Sequence, residues 1–337
     1  MGELPIGELR AAIDAVFDLG PLDRAAIRLA NSGAMGRIWH VDTGDARYAV
    51  KEYFWGVDQT NLRRETALQA ASAVVGVRFP TAHPTRDGHL VGALPEHVGG
   101  AQLRAFTWVS GSPVDITAPD APERLGELLA HLHDTAPPAP EEPDPWYEVV
   151  SDQQGWDELC AAAETARAPW SAQLRGALPA LRSLAAMTGT TAPGERIVCH
   201  LDLQPGNLLQ DDAGWVLLDW DNTGPGRADR ELAATLLRWF GHGQPLDLAA
   251  SARALRCYRN TGGPADLAAP DVLAMHAATT ANFILAMARL ALDATADPDR
   301  RGDAAIHLGS TLAGLPGPDD YHRLRAVGGH GRAGAAG

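Results

Sequence analysis

The chain has 337 residues, of which 45% are hydrophobic and 21% are charged, so it can bury a substantial core. Its formal net charge is −14, and a surface this acidic repels nucleic acid and anionic membranes, although acidity can equally serve solubility alone. No apolar run approaches the roughly 20 residues that cross a bilayer, and the first ten residues lack the pattern of a signal peptide. We therefore expect a cytoplasmic protein, a monomer or homodimer, with three reduced cysteines.

The chain starts with an amphipathic helix and a glycine-containing hairpin. Residues 7–19 place apolar side chains at helical spacing and end at a Gly-Pro pair. Two strand-like runs within residues 27–41 flank the sequence N-S-G-A-M-G, which contains Ser32, Gly33 and Gly36. Glycines let backbone N–H groups approach phosphate oxygens closely. The same pattern fits a plain turn equally well.

A third strand carries a lysine, and a helix follows it. Residues 47–54 contain the sequence A-V-K, in which alternation places Lys51 and Val50 on opposite faces. Residues 58–74 predict a helix that carries Glu65. A solvated strand lysine and one more surface charge are the ordinary alternatives for Lys51 and Glu65.

Two further strand candidates precede a change in periodicity. They are residues 89–94 and residues 102–109, and the second ends at Thr107, Trp108 and Val109. The chain then leaves the sheet and enters a helical region.

From residue 121 onward, helical spacing of apolar residues dominates. His131 and His133 lie two apart on the first of these helices and point to different sides, which argues against a metal-binding pair. Later helices are predicted near residues 152–167 and 171–187, another starts near Ala228, and further helices fill residues 246–259, 270–293 and 301–313.

The last eleven residues, 327–337, are rich in glycine and are expected to be disordered. They contain a G-x-G-x-x-G match, but no strand precedes it and no helix can follow it, so it is not a dinucleotide fingerprint. No G-x-x-x-x-G-K-[ST] loop occurs anywhere in the chain.

The stretch from Ile197 to Asp221 concentrates polar residues between short apolar strands. It predicts a strand, a polar loop, and a strand–turn–strand whose second strand ends at Asp219. Asp202, Asn207 and Asp219 supply carboxylate and amide oxygens, which are hard ligands suited to Mg²⁺. The alternative is an ordinary β-hairpin that carries acidic residues by chance. The order and spacing of the three polar residues favour a functional site.

The pattern H-x-D-x-x-x-x-N followed by a strand that ends in Asp resembles the catalytic loop of the protein-kinase superfamily. The longer pattern H-x-D-x-x-P-x-N, then D-W, is most similar to small-molecule kinases of the aminoglycoside phosphotransferase and choline kinase type. The matching polar residues are His200, Asp202, Asn207 and Asp219. Leu201 stands where many aminoglycoside phosphotransferases have glycine, which weakens assignment to a subfamily.

This resemblance covers roughly residues 25–240 and implies a two-lobed α+β fold of the protein-kinase type. The expected N-lobe, residues 1–108, is a small antiparallel sheet with one main helix that binds the nucleotide. The expected C-lobe, residues 109–326, is larger, mostly helical, and binds the acceptor, and the tail 327–337 follows it.

The resemblance also implies ATP, or alternatively GTP, with Mg²⁺ as cofactors. It implies that Asp202 accepts or orients the proton of the acceptor hydroxyl and that His200 braces the loop. It assigns Mg²⁺ to Asn207 and Asp219 and implies that Asp229, ten residues later, ties its segment to the catalytic loop.

For the nucleotide, the resemblance implies that Lys51 holds the α- and β-phosphates and that Glu65 pairs with Lys51. The turn that contains Ser32, Gly33 and Gly36 would cover the phosphates. The backbone of residues 107–109 would face adenine.

The short distance along the chain from Asp219 to Asp229 leaves no room for the segment that lays out a peptide in protein kinases, so a small acceptor is expected. Asp221, Glu231 and the net charge favour a cationic acceptor, such as an aminoglycoside or a related amino alcohol. The composition resembles that of a high-GC gene, which favours antibiotic resistance by analogy only.

Three alternatives stay open. Arg227 and Arg230 lie in the same stretch and would suit an anionic acceptor. A metabolic kinase would act on a choline-, homoserine- or sugar-like alcohol. A non-catalytic nucleotide-binding relative is the third, although it commonly lacks one of the residues that are all present here.

Overall fold

The computed structural model describes residues 6–32, 36–96, 100–152, 155–191, 196–241 and 245–329. The chain divides into two compact units, each made of three separate stretches. The first unit comprises Met1–Leu62, Arg78–Ser112 and Leu209–Leu218. The second comprises Arg63–Val77, Pro113–Leu208 and Asp219–Gly337. The first unit extends a few residues past position 108, and the lobes expected at 1–108 and 109–326 stay a prediction.

The first unit is built on an antiparallel sheet with one helix against it. The sheet order is β1-β2-β3-β6-β4, and β5 also pairs with β6. The elements are α1 Ile6–Val16, β1 Ala26–Ser32, β2 Gly36–Asp42, β3 Arg47–Tyr53, β4 Ala82–His83, β5 Gly92–Ala93 and β6 Gln102–Thr107.

Helix α1 covers one face of this sheet, and that face is the core of the unit. Leu9 and Ile13, one helical turn apart, are buried in the same cluster as Trp39 of β2 and Val50 of β3. Because side chains alternate along a strand, Lys51 lies on the face opposite Val50, as its position in the sequence predicted.

Three short strands form a second sheet. The order is β10-β9-β7, with β7 Ser112–Pro113, β9 Leu208–Asp211 and β10 Gly214–Leu217. The turn between β9 and β10 lies where the sequence predicted it, and Arg78 clamps it with two hydrogen bonds to the Asp211 carboxylate at 2.6 and 2.7 Å.

The strand predicted at residues 89–94 is reduced to Gly92–Ala93. A turn lies immediately before it, closed by the Thr85 amide donating to the His89 carbonyl, with Gly88 at a φ of 85°. Sequence alternation alone could not separate a short strand from this turn.

The second unit is mostly helical. Helix α2, Gln59–Ala73, begins in the first unit and continues into the second. Strands β8 Ile197–Cys199 and β11 Gly224–Gly226 form an antiparallel pair. The other helices are α3 Ala121–Thr135, α4 Trp156–Thr165, α5 Ser171–Ala186, α6 Ala228–Phe240, α7 Leu248–Asn260, α8 Ala274–Leu292, α9 Pro298–Ala313 and α10 Pro318–Gly329. None of the helices in the described ranges is long and apolar enough to span a membrane.

Helices α3 and α7 pack closely through a glycine. A Cβ atom on Gly126 of α3 would lie 2.2 Å from the Ala254 carbonyl oxygen of α7, so no larger residue fits there. Spacing predicted one apolar face of α3 made of four leucines: Leu125, Leu129 and Leu132 are fully buried, and Leu128 is part-buried.

The end of the chain differs from the expectation. Residues 327–329, predicted to be disordered, complete helix α10, and the remaining residues 330–337 lie outside the described part. Helix α10 escaped prediction because Tyr321 and Leu324 are its two apolar anchors, too few for a clear helical period.

Candidate functional site

Strand β8 leads into the polar loop, and a buried histidine stands at its start. His200 is fully buried, and its ring meets the edge of Trp220 at a centroid distance of 5.0 Å. Its Nδ1 accepts a hydrogen bond from the Asp202 amide at 3.3 Å. These contacts fit the bracing role expected for His200.

Both carboxylate oxygens of Asp202 are held. Asn207 Nδ2 donates to Oδ2 at 2.9 Å, and Gln204 Nε2 donates to the same oxygen at 3.2 Å. Arg238 Nη1 approaches Oδ1 at 3.3 Å. The Asp202 side chain is 20% exposed, so an oriented carboxylate remains accessible to a small molecule.

The donor set at this loop fits a hard cation. Asn207 Nδ2 donates to Asp202 twice, to the carboxylate and to the backbone carbonyl at 2.9 Å. No described residue donates to Asn207 Oδ1, which is therefore left as a ligand oxygen. Asp219, in the same unit, is exposed and follows β10 with a left-handed φ of 55°. An amide oxygen and a carboxylate are ligands that Mg²⁺ accepts.

Leu201 has a left-handed backbone, with φ at 66°. This conformation costs a leucine about 1–2 kcal/mol, whereas glycine adopts it without a steric penalty. The Leu201 side chain is 2% exposed and packs with Cys199, Ala234 and Met275. Burial of a leucine contributes about 1.5–3 kcal/mol, so packing offsets the strain at this position.

Glu231 holds the loop and does not face an acceptor. Its side chain is 1% exposed, Oε1 accepts the Leu201 amide, and Oε2 lies 2.9 Å from His133 Nε2. The prediction that Glu231 binds the acceptor is therefore wrong, because the carboxylate is enclosed and both its oxygens are engaged.

The buried pair of Glu231 and His133 belongs to a closed hydrogen-bond network. Burial by itself would raise the pKa of Glu231, but the hydrogen bond and charge of His133, with His200 and the Leu201 amide, hold that pKa below its usual value. His133 Nδ1 is bonded to the Tyr258 hydroxyl at 2.9 Å. Nothing in the sequence indicated that the partner of His133 lies on α6.

The ligand atoms of His133, Cys199 and Glu231 lie within 4.8 Å of one another. Both nitrogens of His133 and both oxygens of Glu231 already have hydrogen-bond partners in the protein. We therefore interpret this cluster as an internal brace of the loop.

Asp229 does not make the tie that the resemblance implied. Its carboxylate accepts from the Arg227 guanidinium, at 2.9 Å for Oδ1, and from the Arg230 amide at 2.8 Å. It thus accepts one of the free N–H groups in the first turn of α6. Glu231, two residues later, makes the contact with the catalytic loop.

Arg227 and Arg230 are committed to ion pairs. Arg230 is 1% exposed and binds Glu148 at 2.8 Å and Asp271 at 2.5 Å. Arg227 binds Asp271 at 2.9 Å as well as Asp229. These contacts remove the main reason for expecting an anionic acceptor.

In the first unit, Lys51 is half-buried on β3, opposite Ile38 of β2 and Arg104 of β6. Its Nζ lies 5.4 Å from the Tyr53 ring centroid. The neighbouring Glu52 is fully buried on the other face of the strand.

Ser32 and Gly36 lie at the facing ends of β1 and β2, and Gly33 lies outside the described residues. A Cβ atom on Gly36 would lie 2.1 Å from the Glu52 carbonyl oxygen. The close approach of β2 and β3 is therefore sufficient reason for glycine at this position, whether or not a phosphate binds nearby.

The three residues expected to face adenine differ in what they can offer. The Thr107 amide donates to the Thr81 carbonyl and the Trp108 amide to the Arg47 carbonyl, each at 2.9 Å. No acceptor for the Val109 amide occurs within the described chain. Val109 is therefore the residue of the three whose N–H can serve a base edge.

In the second unit, Glu65 and Asp221 have different environments. Glu65 is 3% exposed on α2, and Gln69 Nε2 donates to its Oε1 at 3.3 Å. A carboxylate buried this deeply requires polar partners, and its pairing with Lys51 stays a prediction. Asp221 lies in a single turn of 3₁₀ helix, Trp220–Asn222, and is half-buried.

Comparison with known families decides what kind of protein carries this loop. Residues 26–270, more than half of the chain, match the phosphotransferase enzyme family APH. The chain belongs to this family. The predicted relationship to aminoglycoside phosphotransferases and choline kinases and the predicted α+β fold are confirmed. No curated protein sequence matches the phosphotransferase.

Solved structures share the fold at low sequence identity. A microcompartment-associated aminopropanol kinase is 19% identical, with a TM-score of 0.60. The alignment covers 92% of this chain and 99% of the aminopropanol kinase. A spectinomycin phosphotransferase with ADP and spectinomycin is 16% identical, with a TM-score of 0.62 and coverage of 95% and 98%. An amicoumacin kinase in complex with AMP-PNP, Ca²⁺ and Ami is 18% identical, with a TM-score of 0.57 and coverage of 94% and 96%.

Sequence reasoning did not single out Arg238, whose guanidinium approaches the Asp202 carboxylate at 3.3 Å. A signal was present, because Arg238 follows Glu231 by seven residues, which is two helical turns and the same face of α6. Nothing in the sequence indicates, however, that this face meets the loop.

Proposed function

We propose that this phosphotransferase moves the γ-phosphate of ATP to a hydroxyl of a small acceptor, with Asp202 accepting or orienting the hydroxyl proton. The observation that carries the proposal is the geometry of Asp202, whose oxygens are separately anchored while the side chain stays accessible. Phosphoryl transfer depends mainly on alignment and charge neutralisation, so an oriented carboxylate beside a cation-binding set is the arrangement it needs.

The cofactors we propose are Mg²⁺·ATP, with GTP as the alternative nucleotide. Asn207 and Asp219 would hold the magnesium, and bound magnesium neutralises charge on the β- and γ-phosphates. Lys51 would bind the α- and β-phosphates, and the Val109 amide would bind the base. The neighbours crystallised with AMP-PNP and Ca²⁺ and with ADP support a nucleotide and a divalent cation.

For the acceptor we propose a hydroxylated amine, either an aminoglycoside-type antibiotic or a simpler amino alcohol. Support comes from the net charge of −14, from the half-buried Asp221, and from neighbours named for aminopropanol and spectinomycin. The commitment of Arg227 and Arg230 to internal ion pairs favours a cation over an anion. A metabolic kinase for a choline-like alcohol is the second candidate, and the aminopropanol kinase neighbour favours it.

An acceptor panel tests this class. Amino alcohols, aminoglycosides, neutral sugars and hydroxy acids are compared by ADP release at two salt concentrations. We expect amine acceptors to give the highest kcat/KM and that value to fall as salt rises, because the Debye length is only about 8 Å at physiological salt. A panel led by sugars or hydroxy acids would contradict the cationic acceptor and leave the kinase assignment intact. No ADP release with any acceptor would favour a non-catalytic relative.

The Asp219→Ala variant tests the metal assignment. Mg²⁺·ATP should raise the thermal midpoint of the wild type, because a ligand that binds only the folded state stabilises it. The variant should lose the magnesium-dependent part of this shift. Its own midpoint is expected to be lower, since alanine tolerates a left-handed backbone less well than aspartate.

The readout is therefore the difference between ATP with and without magnesium, measured within each variant. Asp212→Ala is the matched control, because Asp212 is an exposed aspartate in the nearby β9–β10 turn. A full magnesium-dependent shift in Asp219→Ala would contradict the assignment.

A further inference from the structure

One face of helix α6 is directed at the catalytic loop. Glu231, Ala234 and Arg238 are three and four residues apart and lie on this face. Glu231 accepts the Leu201 amide, Ala234 packs against the Leu201 side chain, and Arg238 Nη1 donates to the Leu201 carbonyl at 3.3 Å. Helix α6 therefore holds Leu201 by its N–H, its side chain and its C=O.

This three-point contact matters because of the backbone of Leu201. Its φ of 66° is a conformation that leucine avoids, so the peptide groups on either side need fixed partners to stay in place. Asp202 is the next residue, and the direction of its side chain depends on that peptide.

Arg238 also reaches beyond Leu201. Its Nη1 lies 3.3 Å from Asp202 Oδ1, and its Nη2 donates to Thr279 Oγ1 on α8 at 3.3 Å. Asn207 and Gln204 hold the other oxygen of Asp202. A planar guanidinium can serve the loop carbonyl, the carboxylate and the threonine at once, whereas the ammonium of a lysine acts as a single point charge.

We propose that Arg238 is a positioning residue for phosphoryl transfer, which fixes the carboxylate of Asp202 and the left-handed peptide that carries it. The inference rests on the proposed function, since it assigns to Arg238 the orientation of the proposed base. Both side chains are only 20% exposed, so loss of Arg238 is expected to lower stability as well as turnover. The two effects are therefore measured separately.

The test compares Arg238→Met and Arg238→Lys with Arg253→Met as the matched control. Arg253 also pairs with a carboxylate, that of Glu123, but lies on α7 outside the site. We expect both Arg238 variants to lose at least about tenfold in kcat, because small misplacements of a catalytic group are costly. KM for ATP should stay within about twofold of the wild type, and the control should match the wild type.

Two readouts separate positioning from general stability. Guanidinium ion added to Arg238→Ala should restore part of kcat, while ammonium ion should not, because only the planar ion reproduces the geometry. In a crystal structure of Arg238→Met, the Asp202 carboxylate should be rotated from its wild-type orientation. An unmoved carboxylate, an equal response to both ions, or a kcat equal to that of Arg253→Met would overturn the proposal.

The variant Asp202→Asn, measured in parallel, keeps this proposal distinct from the proposed function. An inactive Asp202→Asn beside a fully active Arg238→Met overturns the role of Arg238 alone. A fully active Asp202→Asn overturns the proposed role of Asp202, and the orientation of that carboxylate in the Arg238→Met crystal then still decides whether Arg238 positions it.

Discussion

We expect Asp202→Asn to bind Mg²⁺·ATP with nearly wild-type affinity and to turn over at least about 10²-fold more slowly, the usual contribution of a positioned acid–base group. The amide keeps the size of the carboxylate and an oxygen that Asn207 can still reach. It loses the charge and the basicity that accept the hydroxyl proton. The rate of phosphoryl transfer should therefore fall, while the affinity for the nucleotide should not change.

Nucleotide affinity and single-turnover rates measure these two effects separately. Asp303→Asn, which removes one exposed carboxylate from α9, controls for the change in net charge. Weakened ATP binding with normal turnover would reassign Asp202 to the cofactor. Normal behaviour in both measurements would move the catalytic role to another residue.

The second large effect is expected on stability. His133→Ala should lower the free energy of unfolding by about 3–5 kcal/mol, because removal of one partner leaves the Glu231 carboxylate buried without its main counterpart. For a chain of 337 residues, such a loss corresponds to a fall of about 4–7 °C in the thermal midpoint, because the entropy of unfolding grows with chain length. His131→Ala is the control, since it removes a histidine from the same helix outside the network.

The difference in free energy of unfolding between the wild type and His133→Ala should depend on pH. In the wild type the pKa of Glu231 is depressed, so its contribution to stability is present above the unfolded-state pKa and is lost as pH falls through the folded-state pKa. In His133→Ala, burial dominates and raises that pKa. The deficit of the variant should then be full at neutral pH and shrink toward about pH 4 as Glu231 takes up a proton.

Denaturant unfolding at several pH values measures this trend. A deficit that stays constant with pH would mean that the variant loses packing and not a charge partner. Tyr258→Phe removes a hydroxyl that is bonded to His133 Nδ1 and also accepts the Ala265 amide, and should cost about 1–3 kcal/mol, the usual value of two hydrogen bonds.

Much of the candidate site could be predicted from the sequence, because the patterns that indicate it involve residues close together in the chain. The spacing of Asp202 and Asn207 within one loop predicted their proximity, and the structure joins them by a direct hydrogen bond. The strand that carries Lys51 and the strand that precedes Asp219 were predicted for the same reason, since alternation and turn residues are properties of neighbouring positions.

The errors share one cause. Glu231 looked like an exposed acidic residue and Asp229 like the anchor of the loop, because position along the chain says nothing about which side of α6 faces inward. Arg238 was overlooked because its partner Asp202 lies 36 residues earlier in the chain. The partners of buried charges come from distant segments, so their assignment requires tertiary structure.

The sequence by itself determined the class of the protein, the order of its elements and the polar residues of the loop, because these depend on short-range spacing and backbone preference. Only the tertiary structure decided how the loop is held. The left-handed Leu201 is tolerated because its side chain is packed and its peptide is bonded to α6. Those stabilising contacts join segments separated by about 30 residues or more, and their energies depend on burial and charge pairing that no local pattern specifies.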